Sequence, residues 1–363
     1  MADNIQKIDK NFVVNATIER NDICFYDVKK PPFSIYGLYD YKNQSVFRRM
    51  PEDIAKATSE GVAELSKNTA GGRVRFSTDS KIVSISVKLN TISLIPNMPT
   101  SGTCGFDLFV DSPEGFESRY VGTFMPPQHT TEEGYESEIR FKTRKMRHFT
   151  INFPSYSGVS EFYVGIASDA TLGAGLKYKN IAPIVYYGSS ITQGACASRS
   201  GNNYQNIICR HTNIDYINLG FAGSARGEDA ICDYISELNM SAFVSDYDHN
   251  APTVEHLQAT HYKLYEKIRA AHPDIPYIMI SKCDIDSNPT NQQRRMVIME
   301  SYQKAITNGD DNVYYIDGAS VYRGEYQNMC TTDNIHPNDL GFVLLSEAIE
   351  GELQRGFTQS NFR

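Results

Sequence analysis

The hydrophobic pattern of this chain changes near residue 175, and that change constrains the fold more than any other feature. Up to about residue 170, short β-rich runs recur, and clusters of Gly, Pro, Asn and Ser separate them. Such runs are typical of an all-β sandwich or jelly roll. Farther along, apolar strand-like runs alternate with amphipathic helical stretches. That alternation indicates a parallel sheet with helices on both faces.

The change of pattern predicts two domains. The segment 168–180 is small, polar and Gly-containing, and we interpret it as a linker. We therefore expect an all-β module at residues 1–175 and an α/β domain at residues 176–363. The length of 363 residues agrees with this division, because single domains commonly hold about 100–200 residues.

The two patterns also assign individual elements. In the first part, seven β-rich runs are predicted to be strands: 22–28, 73–79, 81–89, 104–111, 119–125, 147–154 and 161–167. Residues 51–66 are predicted to form a short helix, since Pro followed by acidic residues suits a helix N-terminus. In the second part, five apolar runs are predicted to be strands: 184–188, 216–221, 242–248, 276–283 and 313–319. Apolar residues at helical spacing predict helices at 253–271 and 340–353.

The charge balance and the aromatic content narrow the function. The chain holds 35 Lys and Arg against 43 Asp and Glu, so its net charge is −8. A general nucleic-acid binder needs the opposite balance, because Lys and Arg neutralise phosphates, and an anionic membrane surface is disfavoured for the same reason. Trp is absent, while Tyr and Phe number 23 and 18. Since the β module lacks the commonest sugar-stacking residue, we expect it to shape a cleft rather than to bind sugar independently.

The cysteines and the N-terminus bear on metals and on the cellular compartment. Seven cysteines are widely spaced and no CxxC pair occurs, so neither a zinc site nor a disulfide framework is indicated. Unpaired cysteines fit a reducing compartment. Residues 1–12 hold no apolar stretch of signal-peptide length, and no window approaches about 18 apolar residues. We therefore expect a cytoplasmic protein without a zinc site.

Ser190 stands where a nucleophile is well placed. The apolar strand 184–188 runs through Gly188 and Ser189 into Ser190, and a helical stretch follows. A serine between a buried strand and a helix lies beside backbone N–H groups that can stabilise a developing oxyanion. An ordinary turn or helix N-cap is the alternative, since Ser is a favoured cap residue.

A second motif lies near the C-terminus. Asp333 stands three residues before His336, just ahead of a predicted helix. A carboxylate in that position can fix the imidazole tautomer and leave the other ring nitrogen to take a proton from a serine. A helix-capping Asp beside a surface His is the alternative.

Two further strand ends carry small or amide residues. Gly223 follows the second predicted strand of the α/β part, and Asn250 follows the third. A glycine lets its backbone N–H approach a substrate closely, and the Asn side chain supplies another donor. Both could join the N–H of Ser190 in an oxyanion hole. A turn at Gly223 and a helix cap at Asn250 are the alternatives.

Four motifs in this order, each near a strand end, resemble the SGNH, or GDSL-like, hydrolase superfamily. The matching segments are GSSITQG (188–194), NLGFAG (218–223), DYDHNAP (246–252) and DNIHP (333–337). The resemblance spans about residues 181–357. It implies a flavodoxin-like domain that hydrolyses carboxylic esters without a cofactor.

The resemblance also implies a role for each matching residue. The implied roles are nucleophile for Ser190, general base and then general acid for His336, orienting carboxylate for Asp333, and oxyanion donor for Ser190, Gly223 and Asn250. One position departs from the family pattern, because Ser189 stands where Asp is usual. That Asp is not the triad carboxylate, so the implied activity does not depend on it.

Four more segments resemble a bacterial subgroup in which the catalytic domain follows an N-terminal β-sandwich or jelly-roll module. They are YGLYDYKNQSVFRRMP (36–51), YSGVSEFYVGI (156–166), CASRSGNNY (196–204) and INLGFAGSARGE (217–228). With them, the resemblance covers most of the chain. Members of this subgroup are generally taken as esterases, often of acetylated carbohydrates.

A metal hydrolase and a Cys–His enzyme are alternative interpretations. Asp246, Asp248 and His249 cluster in sequence, but His256 and His261 are spaced i, i+5 and do not share a helix face. No pattern orders a Cys with a His into a dyad, and free Cys is more often a small buried hydrophobe. Phosphate binding is disfavoured because no P-loop motif occurs.

Four residues near the motifs are candidate substrate contacts. Arg199 and Arg226 could bind a carboxylate or hydroxyl groups with planar paired donors, or they could form structural salt bridges. Tyr204 and Tyr247 could be sugar platforms, or they could be buried in the core.

The sequence therefore predicts a two-domain serine esterase that acts on an O-acyl, in particular an O-acetyl, ester of a carbohydrate or small glycoside. An acyltransferase with the same residues, a lipase or thioesterase, and a non-catalytic carbohydrate-binding protein are the alternatives. The expected partner is a small-molecule or oligosaccharide ester, with neither nucleic acid nor membrane. The oligomeric state is left open, a homo-oligomer included.

Overall fold

The first part of the chain folds into antiparallel sheets, within the residues that the computed structural model describes: 8–9, 13–18, 21–113, 118–283 and 288–360. Its strands are β1 (Ile23–Asp27), β2 (Ser34–Tyr36), β3 (Arg73–Thr78), β4 (Ile82–Thr91), β5 (Phe106–Asp111), β6 (Arg119–Phe124), β7 (Tyr135–Arg140), β8 (Arg147–Asn152), β9 (Gly158–Ala167) and β10 (Leu172–Ala174). One sheet has the order β1-β9-β4-β7, and the other has the order β10-β3-β8-β5-β6 with β2 paired to β3. Three short helices accompany them: α1 (Glu52–Thr58), α2 (Glu60–Leu65) and α3 (Thr100–Thr103).

Alternation along the strands places one face of each sheet in a common core. Val83 and Ile85 of β4 lie in the same buried cluster as Val74 and Phe76 of β3. Successive side chains of a strand point to opposite faces, so the apolar alternation selects the face that is buried. These antiparallel sheets confirm the predicted all-β character. The more specific jelly-roll connection stays a prediction.

The short elements of this part differ from the prediction. Strand β10 lies inside the segment interpreted as a linker, and it pairs with β3. The single helix predicted at 51–66 is wrong, because Ser59 has extended backbone and its hydroxyl accepts the Val62 N–H at 3.2 Å. That hydrogen bond begins α2 directly after α1 ends. Strands β2 and β7 were not predicted.

The second part holds a parallel sheet with helices on both faces, as predicted. Its strands, in the order β12-β11-β13-β14-β15, are β11 (Ile184–Gly188), β12 (Tyr216–Gly220), β13 (Ala242–Asp246), β14 (Tyr277–Ile280) and β15 (Val313–Ile316). The helices are α4 (Ser190–Gln193), α5 (Tyr204–Thr212), α6 (Asp229–Glu237), α7 (Val254–Ala271), α8 (Pro289–Thr307) and α9 (Asp339–Ser360). Short 3-10 turns occupy Ser200–Asn202, Asp248–Asn250, Gly318–Ser320 and Gln327–Met329. The expected boundary between residues 175 and 176 falls between β10 and β11. The division of the chain into two domains stays a prediction.

Strand β11 shows why both faces are covered. Val185 and Tyr187 lie in one buried cluster, to which α6, α7 and α8 also contribute side chains. Ile184 and Tyr186 lie in a second cluster, to which α5 and α9 contribute side chains. A strand with apolar residues on both faces must be buried on both. Among the described residues, no helix combines the length and the apolar character that crossing a bilayer requires.

Buried arginines join the antiparallel part to the parallel sheet. Arg49, 1% exposed, donates to backbone carbonyl groups of Asn218 and Gly220 at the end of β12. Arg73 of β3 pairs with Asp215 and lies over the Tyr216 ring, 3.7 Å from its centroid, at the start of β12. Both ends of β12 are thus held by side chains from the first part.

Candidate active site

An open cleft of about 740 Å³ lies at the carboxyl edge of the parallel sheet. Sheets of this kind bind ligands there, because the loops that follow the strands meet at that edge. The cleft is lined by residues that follow all five strands: Ser190, Gly223, Asn250, Lys282 and His336. Residues from the second, third and fourth motifs therefore meet Ser190 at one surface.

Ser190 is the first residue of α4, directly after the turn that ends β11. At Gly188 a Cβ atom would lie 2.2 Å from the carbonyl oxygen of Asp246, so the turn requires glycine. Ser189 is the N-cap, since its hydroxyl accepts the Ile191 N–H at 3.2 Å. Because Ser189 fills the cap position, the hydroxyl of Ser190 is left for contacts in the cleft.

The Ser190 hydroxyl lies next to an imidazole that a carboxylate holds. Ser190 Oγ is 2.9 Å from His336 Nε2, and His336 Nδ1 is 2.7 Å from Asp333 Oδ2. The other oxygen, Asp333 Oδ1, accepts the backbone N–H groups of Ile335 at 3.1 Å and His336 at 2.8 Å. When Nδ1–H donates to the carboxylate, Nε2 can accept the serine proton.

Asp333 receives a further hydrogen bond from the antiparallel part. Asn97 Nδ2 donates to Asp333 Oδ2 at 2.6 Å. Partial burial raises the pKa of Asp333, but hydrogen bonds from His336 and Asn97 outweigh burial and lower the pKa to about 2. The carboxylate therefore stays ionised in neutral and mildly acidic solution, where it can stabilise a protonated imidazole.

Three candidate oxyanion donors line the cleft. Gly223 has left-handed backbone with φ +66°, and a Cβ atom there would meet nothing within 4 Å. Within the described residues, the backbone N–H groups of Ser190 and Gly223 donate to no protein acceptor. Asn250 Nδ2 donates to the carbonyl oxygen of Phe221 at 2.9 Å, which orients the amide and leaves its second N–H for a ligand.

Gln193 was not predicted as a site residue, yet it connects the Gly223 loop to the antiparallel part. Its Oε1 accepts the N–H of Ala222 at 3.0 Å, and its Nε2 donates to Asn68 Oδ1 at 3.0 Å. Since Ala222 directly precedes Gly223, this side chain fixes the position of the glycine amide. Its place inside segment 188–194 was the one available signal.

Asn97 and Tyr156, from the antiparallel part, also line the cleft and were not predicted. The hydroxyl of Tyr156 donates to the carbonyl oxygen of Ser190 at 3.4 Å. Tyr156 opens the segment 156–166 that resembles the subgroup, which was its one signal, whereas nothing in the local sequence marks Asn97; each reaches the site only when the two parts of the chain pack together.

A buried cluster of two carboxylates and an imidazole lies beside the cleft. The ligand atoms of Asp246, Asp248 and His249 all lie within 4.8 Å of one another, so these residues could hold a cation. Burial raises the pKa of Asp246, raises the pKa of Asp248 to about 6 and lowers the pKa of His249 to about 3. Asp246 accepts from Thr192 Oγ1 at 3.0 Å, and Asp248 accepts from the Lys282 N–H at 2.8 Å. These bonds also tie together the loops that follow β11, β13 and β14.

The two histidines considered with this cluster lie elsewhere. His256 Nε2 is 2.8 Å from the carbonyl oxygen of Arg226. His261 is buried and stacks on Tyr247 with ring centroids 5.8 Å apart. The metal-hydrolase alternative therefore loses two of the ligands on which it relied.

Arg199 lies outside the cleft. Its guanidinium is 3.0 Å from Asp107 and lies over the Tyr120 ring, 3.8 Å from the centroid. These partners support the structural salt bridge, which was the alternative interpretation of Arg199. Arg226 is exposed and donates to the carbonyl oxygen of Gly223 at 3.2 Å, so its role as a substrate contact stays a prediction.

Tyr204 and Tyr247 are core residues, each 1% exposed. Tyr204 donates to Thr192 Oγ1 at 3.0 Å, and the Tyr247 hydroxyl is 2.9 Å from Thr260 Oγ1. Of the two interpretations given for these tyrosines, the structure supports burial in the core, because neither ring face is accessible to a substrate.

No disulfide joins any of the seven cysteines, all of which lie among the described residues, and six of them are buried. Burial raises the pKa of the Cys196 and Cys330 thiols, which disfavours the thiolate that a Cys nucleophile needs. Cys330 Sγ donates to the carbonyl oxygen of Tyr326 at 3.2 Å. The Cys–His alternative is therefore poorly supported.

Two family models match the two parts of the chain. Residues 181–354 match the GDSL-like Lipase/Acylhydrolase family, and residues 23–172 match a family described as the N-terminus of SGNH-hydrolase-type esterases. A search of curated proteins found no match.

Solved structures share the fold over nearly the whole chain. A Bacteroides ovatus protein assigned as a GDSL-like lipase has a TM-score of 0.81 at 22% identity, covering 93% of this chain and 98% of its own. A salicylyl-acyltransferase from a tetracycline biosynthetic pathway has a TM-score of 0.73 at 18% identity, with coverage of 93% and 98%. A family two carbohydrate esterase from Cellvibrio japonicus has a TM-score of 0.60 at 10% identity, again with 93% and 98% covered. At these identities the structures establish a common fold.

Proposed function

Because the two parts of the chain belong to the GDSL-like lipase/acylhydrolase family and to the N-terminal family of SGNH-type esterases, we propose that the protein is a serine esterase. It removes an O-acyl group, in particular an acetyl group, from a carbohydrate or small glycoside. One observation carries the proposal: Ser190 Oγ lies 2.9 Å from His336 Nε2, and His336 Nδ1 lies 2.7 Å from Asp333, in an open cleft. The deciding test is removal of the Ser190 hydroxyl.

In the first half of the reaction, Ser190 Oγ attacks the ester carbonyl carbon while His336 Nε2 takes the hydroxyl proton. The carbonyl oxygen becomes an oxyanion, which the N–H groups of Ser190, Gly223 and Asn250 stabilise. The carbonyl then re-forms, the C–O bond to the alcohol breaks, and His336 gives its proton to the leaving alkoxide. The acyl group is left on Ser190, and the alcohol departs.

In the second half, water replaces the alcohol. The water oxygen attacks the acyl carbon while His336 takes a proton from the water. The N–H groups of Ser190, Gly223 and Asn250 stabilise the second oxyanion as they did the first. The bond between the acyl carbon and Ser190 Oγ breaks, and His336 returns its proton to Ser190. Asp333 stabilises the imidazolium in both halves.

The apolar part of the cleft supports a short acyl group. Among the described residues, its apolar lining consists of Ile95, Pro96, Tyr156, Ala195, Ala222 and Ile335. Four of these residues, Ile95, Tyr156, Ala195 and Ala222, pack in one small apolar cluster, which suits an acetyl methyl better than a long acyl chain. An acetyl ester is therefore better supported than the lipid substrate of a lipase.

Acyl transfer is the second candidate, since it differs only in the acceptor. A second alcohol attacks the acyl carbon in place of water, and the proton steps are unchanged. One protein of the same fold is a salicylyl-acyltransferase, so an acceptor alcohol belongs in the assay. Mass spectrometry of the products with and without the acceptor separates hydrolysis from transfer.

The rate should fall as the pH is lowered, because a protonated imidazole at His336 cannot take the serine proton. Asp333 stays ionised throughout this limb, since its pKa is about 2. We therefore expect log kcat/KM to fall with a slope of about one rather than two, as one group titrates. The measurement is kcat/KM for 4-nitrophenyl acetate from about pH 4 to about pH 9.

Asp248 supplies the control for this profile, because burial raises its pKa to about 6 and it titrates in the same window. In Asp248→Asn the amide oxygen can still accept the Lys282 N–H, so the loop should keep its shape. We expect the acid limb to stay where it is in the wild type. If kcat/KM of Asp248→Asn no longer fell at low pH, the fall in the wild type would be due to protonation of Asp248. That result would contradict His336 as the base.

Asn250→Ala should lower kcat by about 10²–10³-fold, the usual loss for one oxyanion donor. The amide acts on the oxyanion, which exists only in the transition state and intermediate, so KM should change little. Steady-state kinetics with 4-nitrophenyl acetate measures both constants. A rise in KM at unchanged kcat would show that Asn250 binds the ground state instead.

A further inference from the structure

One end of the cleft carries two cations without an ion-pair partner in the described part of the chain. Lys282 follows β14 and Arg294 lies on α8, and both side chains line the cleft. Arg294 NH1 donates to the backbone carbonyl of Asp248 at 2.6 Å. Burial raises the pKa of the Asp248 carboxylate, and the charges of Arg294 and Lys282 offset part of that rise without an ion-pair contact to it. Acidic residues outnumber basic ones in this protein, whose net charge is −8. The overall composition therefore does not explain why basic residues line this end of the cleft.

A buried imidazole without a hydrogen-bond partner stands beside these cations. The side chain of His249 is 7% exposed and lines the cleft, and its Nε2 has no partner among the described residues. Burial, together with the nearby charges of Lys282, His336 and Arg294, lowers the pKa of His249 to about 3. His249 is therefore neutral at physiological pH. Buried polar atoms normally have a partner; Asp248 Oδ1, which also has none among the described residues, lies 4.0 Å from this nitrogen.

Helix α8 adds to the same end of the cleft. It is 19 residues long, and Asn288, Thr290 and Asn291 at its beginning line the cleft. A helix N-terminus carries partial positive charge and favours anions. The helix end and the two cations favour a negatively charged ligand group, and the neutral His249 does not oppose one.

This cationic end lies across Ser190 from the small apolar end. The strand order is β12-β11-β13-β14-β15, so Ala222 and Lys282 follow strands on opposite sides of β11. Neighbouring strands are about 4.8 Å apart, which puts the loop of Lys282 about 10 Å from that of Ser190. A substrate bound across Ser190 can therefore place its acyl group at one end and its alcohol at the other.

We propose, building on the esterase function proposed above, that the site selects esters whose alcohol moiety carries a carboxylate or a similar anionic group. Lys282 and Arg294 bind the anion, and the small acyl group lies beside Ala222. An O-acetylated acidic sugar has this chemistry.

The test compares 4-acetoxybenzoate with its neutral amide, 4-acetoxybenzamide, which differ in charge at the position farthest from the ester. We expect kcat/KM to favour the benzoate about tenfold in the wild type. The preference should shrink as ionic strength rises from about 0.01 M to about 1 M, because salt screens exposed charges. Lys282→Gln should abolish the preference, and Lys282→Arg should retain it.

The control for charge is Lys81→Gln, which removes an exposed cation from the antiparallel part and should leave the ratio of the two kcat/KM values unchanged. A second pair, mono-4-nitrophenyl glutarate and 4-nitrophenyl acetate, places the anion on the acyl side. A preference for the glutarate, with none for the benzoate, would overturn the assignment to the alcohol moiety.

Two results would overturn the proposal altogether: no preference in the wild type, or a preference that Lys282→Gln leaves intact. Asp284 and Asp286 lie outside the described residues, and neutralisation of the cations by these carboxylates would give the first result. Failure of the esterase function is a separate outcome, since neither probe nor 4-nitrophenyl acetate would then be hydrolysed in a Ser190-dependent way.

Discussion

Replacing Ser190 with alanine should lower kcat for ester hydrolysis by on the order of 10⁴–10⁶-fold while the protein stays folded. The Ser190 hydroxyl has one side-chain hydrogen bond, of 2.9 Å to His336 Nε2, so its loss removes the nucleophile without opening the core. Residual catalysis would come from binding and the oxyanion donors alone. The measurement is 4-nitrophenol release from 4-nitrophenyl acetate, with thermal unfolding of both proteins to compare their stability.

Ser189→Ala is the matched control, because it removes the same hydroxyl one residue earlier. Ser189 is buried and caps α4, so its loss should lower the free energy of unfolding by about 1 kcal/mol without stopping turnover. In the wild type, an acetyl group trapped during the reaction should map to Ser190 by mass spectrometry. Turnover retained by Ser190→Ala would refute the nucleophile. If a chelator then removed that turnover, catalysis would belong to a cation at Asp246, Asp248 and His249.

Arg49→Met should lower the free energy of unfolding by about 3–5 kcal/mol. The guanidinium is buried and donates to the carbonyl groups of Leu65 at 2.7 Å, Asn68 at 2.9 Å, Asn218 at 3.1 Å and Gly220 at 2.6 Å. Methionine fills much of the volume but leaves these buried acceptors without their donor. Urea unfolding followed by circular dichroism measures the loss.

Arg140→Met is the control, since the same change occurs at a side chain that is 62% exposed. Its effect should stay within about 0.5 kcal/mol. Arg49→Met should also reduce kcat, because Gly220 leads directly into the loop that carries Gly223. A loss of stability no larger than that of Arg140→Met would contradict the view that Arg49 joins the two parts of the chain.

The meeting of Ser190 and His336 could be predicted from sequence because of how parallel sheets are built. Each residue follows an apolar run, and the carboxyl ends of parallel strands meet at one edge. The short polar motifs at those ends therefore had to come together once the alternation of strands and helices was recognised. The catalytic roles of Ser190, His336 and Asp333 stay predictions until the substitutions are made.

Other features could not be decided from the sequence, because its pattern does not report which atoms become buried. Tyr204 and Tyr247 stand near the motifs, yet both rings lie in the core. Arg199 stands near Ser190 in sequence, yet it points to Asp107 of β5. The helix at 51–66 satisfied the helical pattern, yet the hydroxyl of Ser59 competes with the helix for a backbone donor.

By itself, the sequence determined the change from antiparallel to parallel architecture and the motifs that line the cleft, because strand and helix periodicity and strand-end chemistry are local. The tertiary structure alone decided what supports those motifs. Asn97 reaches Asp333, Gln193 reaches Asn68, and Arg49 reaches the end of β12. Each of these contacts joins residues more than 120 positions apart, and their formation depends on packing the antiparallel sheets against the catalytic part. No local periodicity records such a contact, so only the folded chain reveals it.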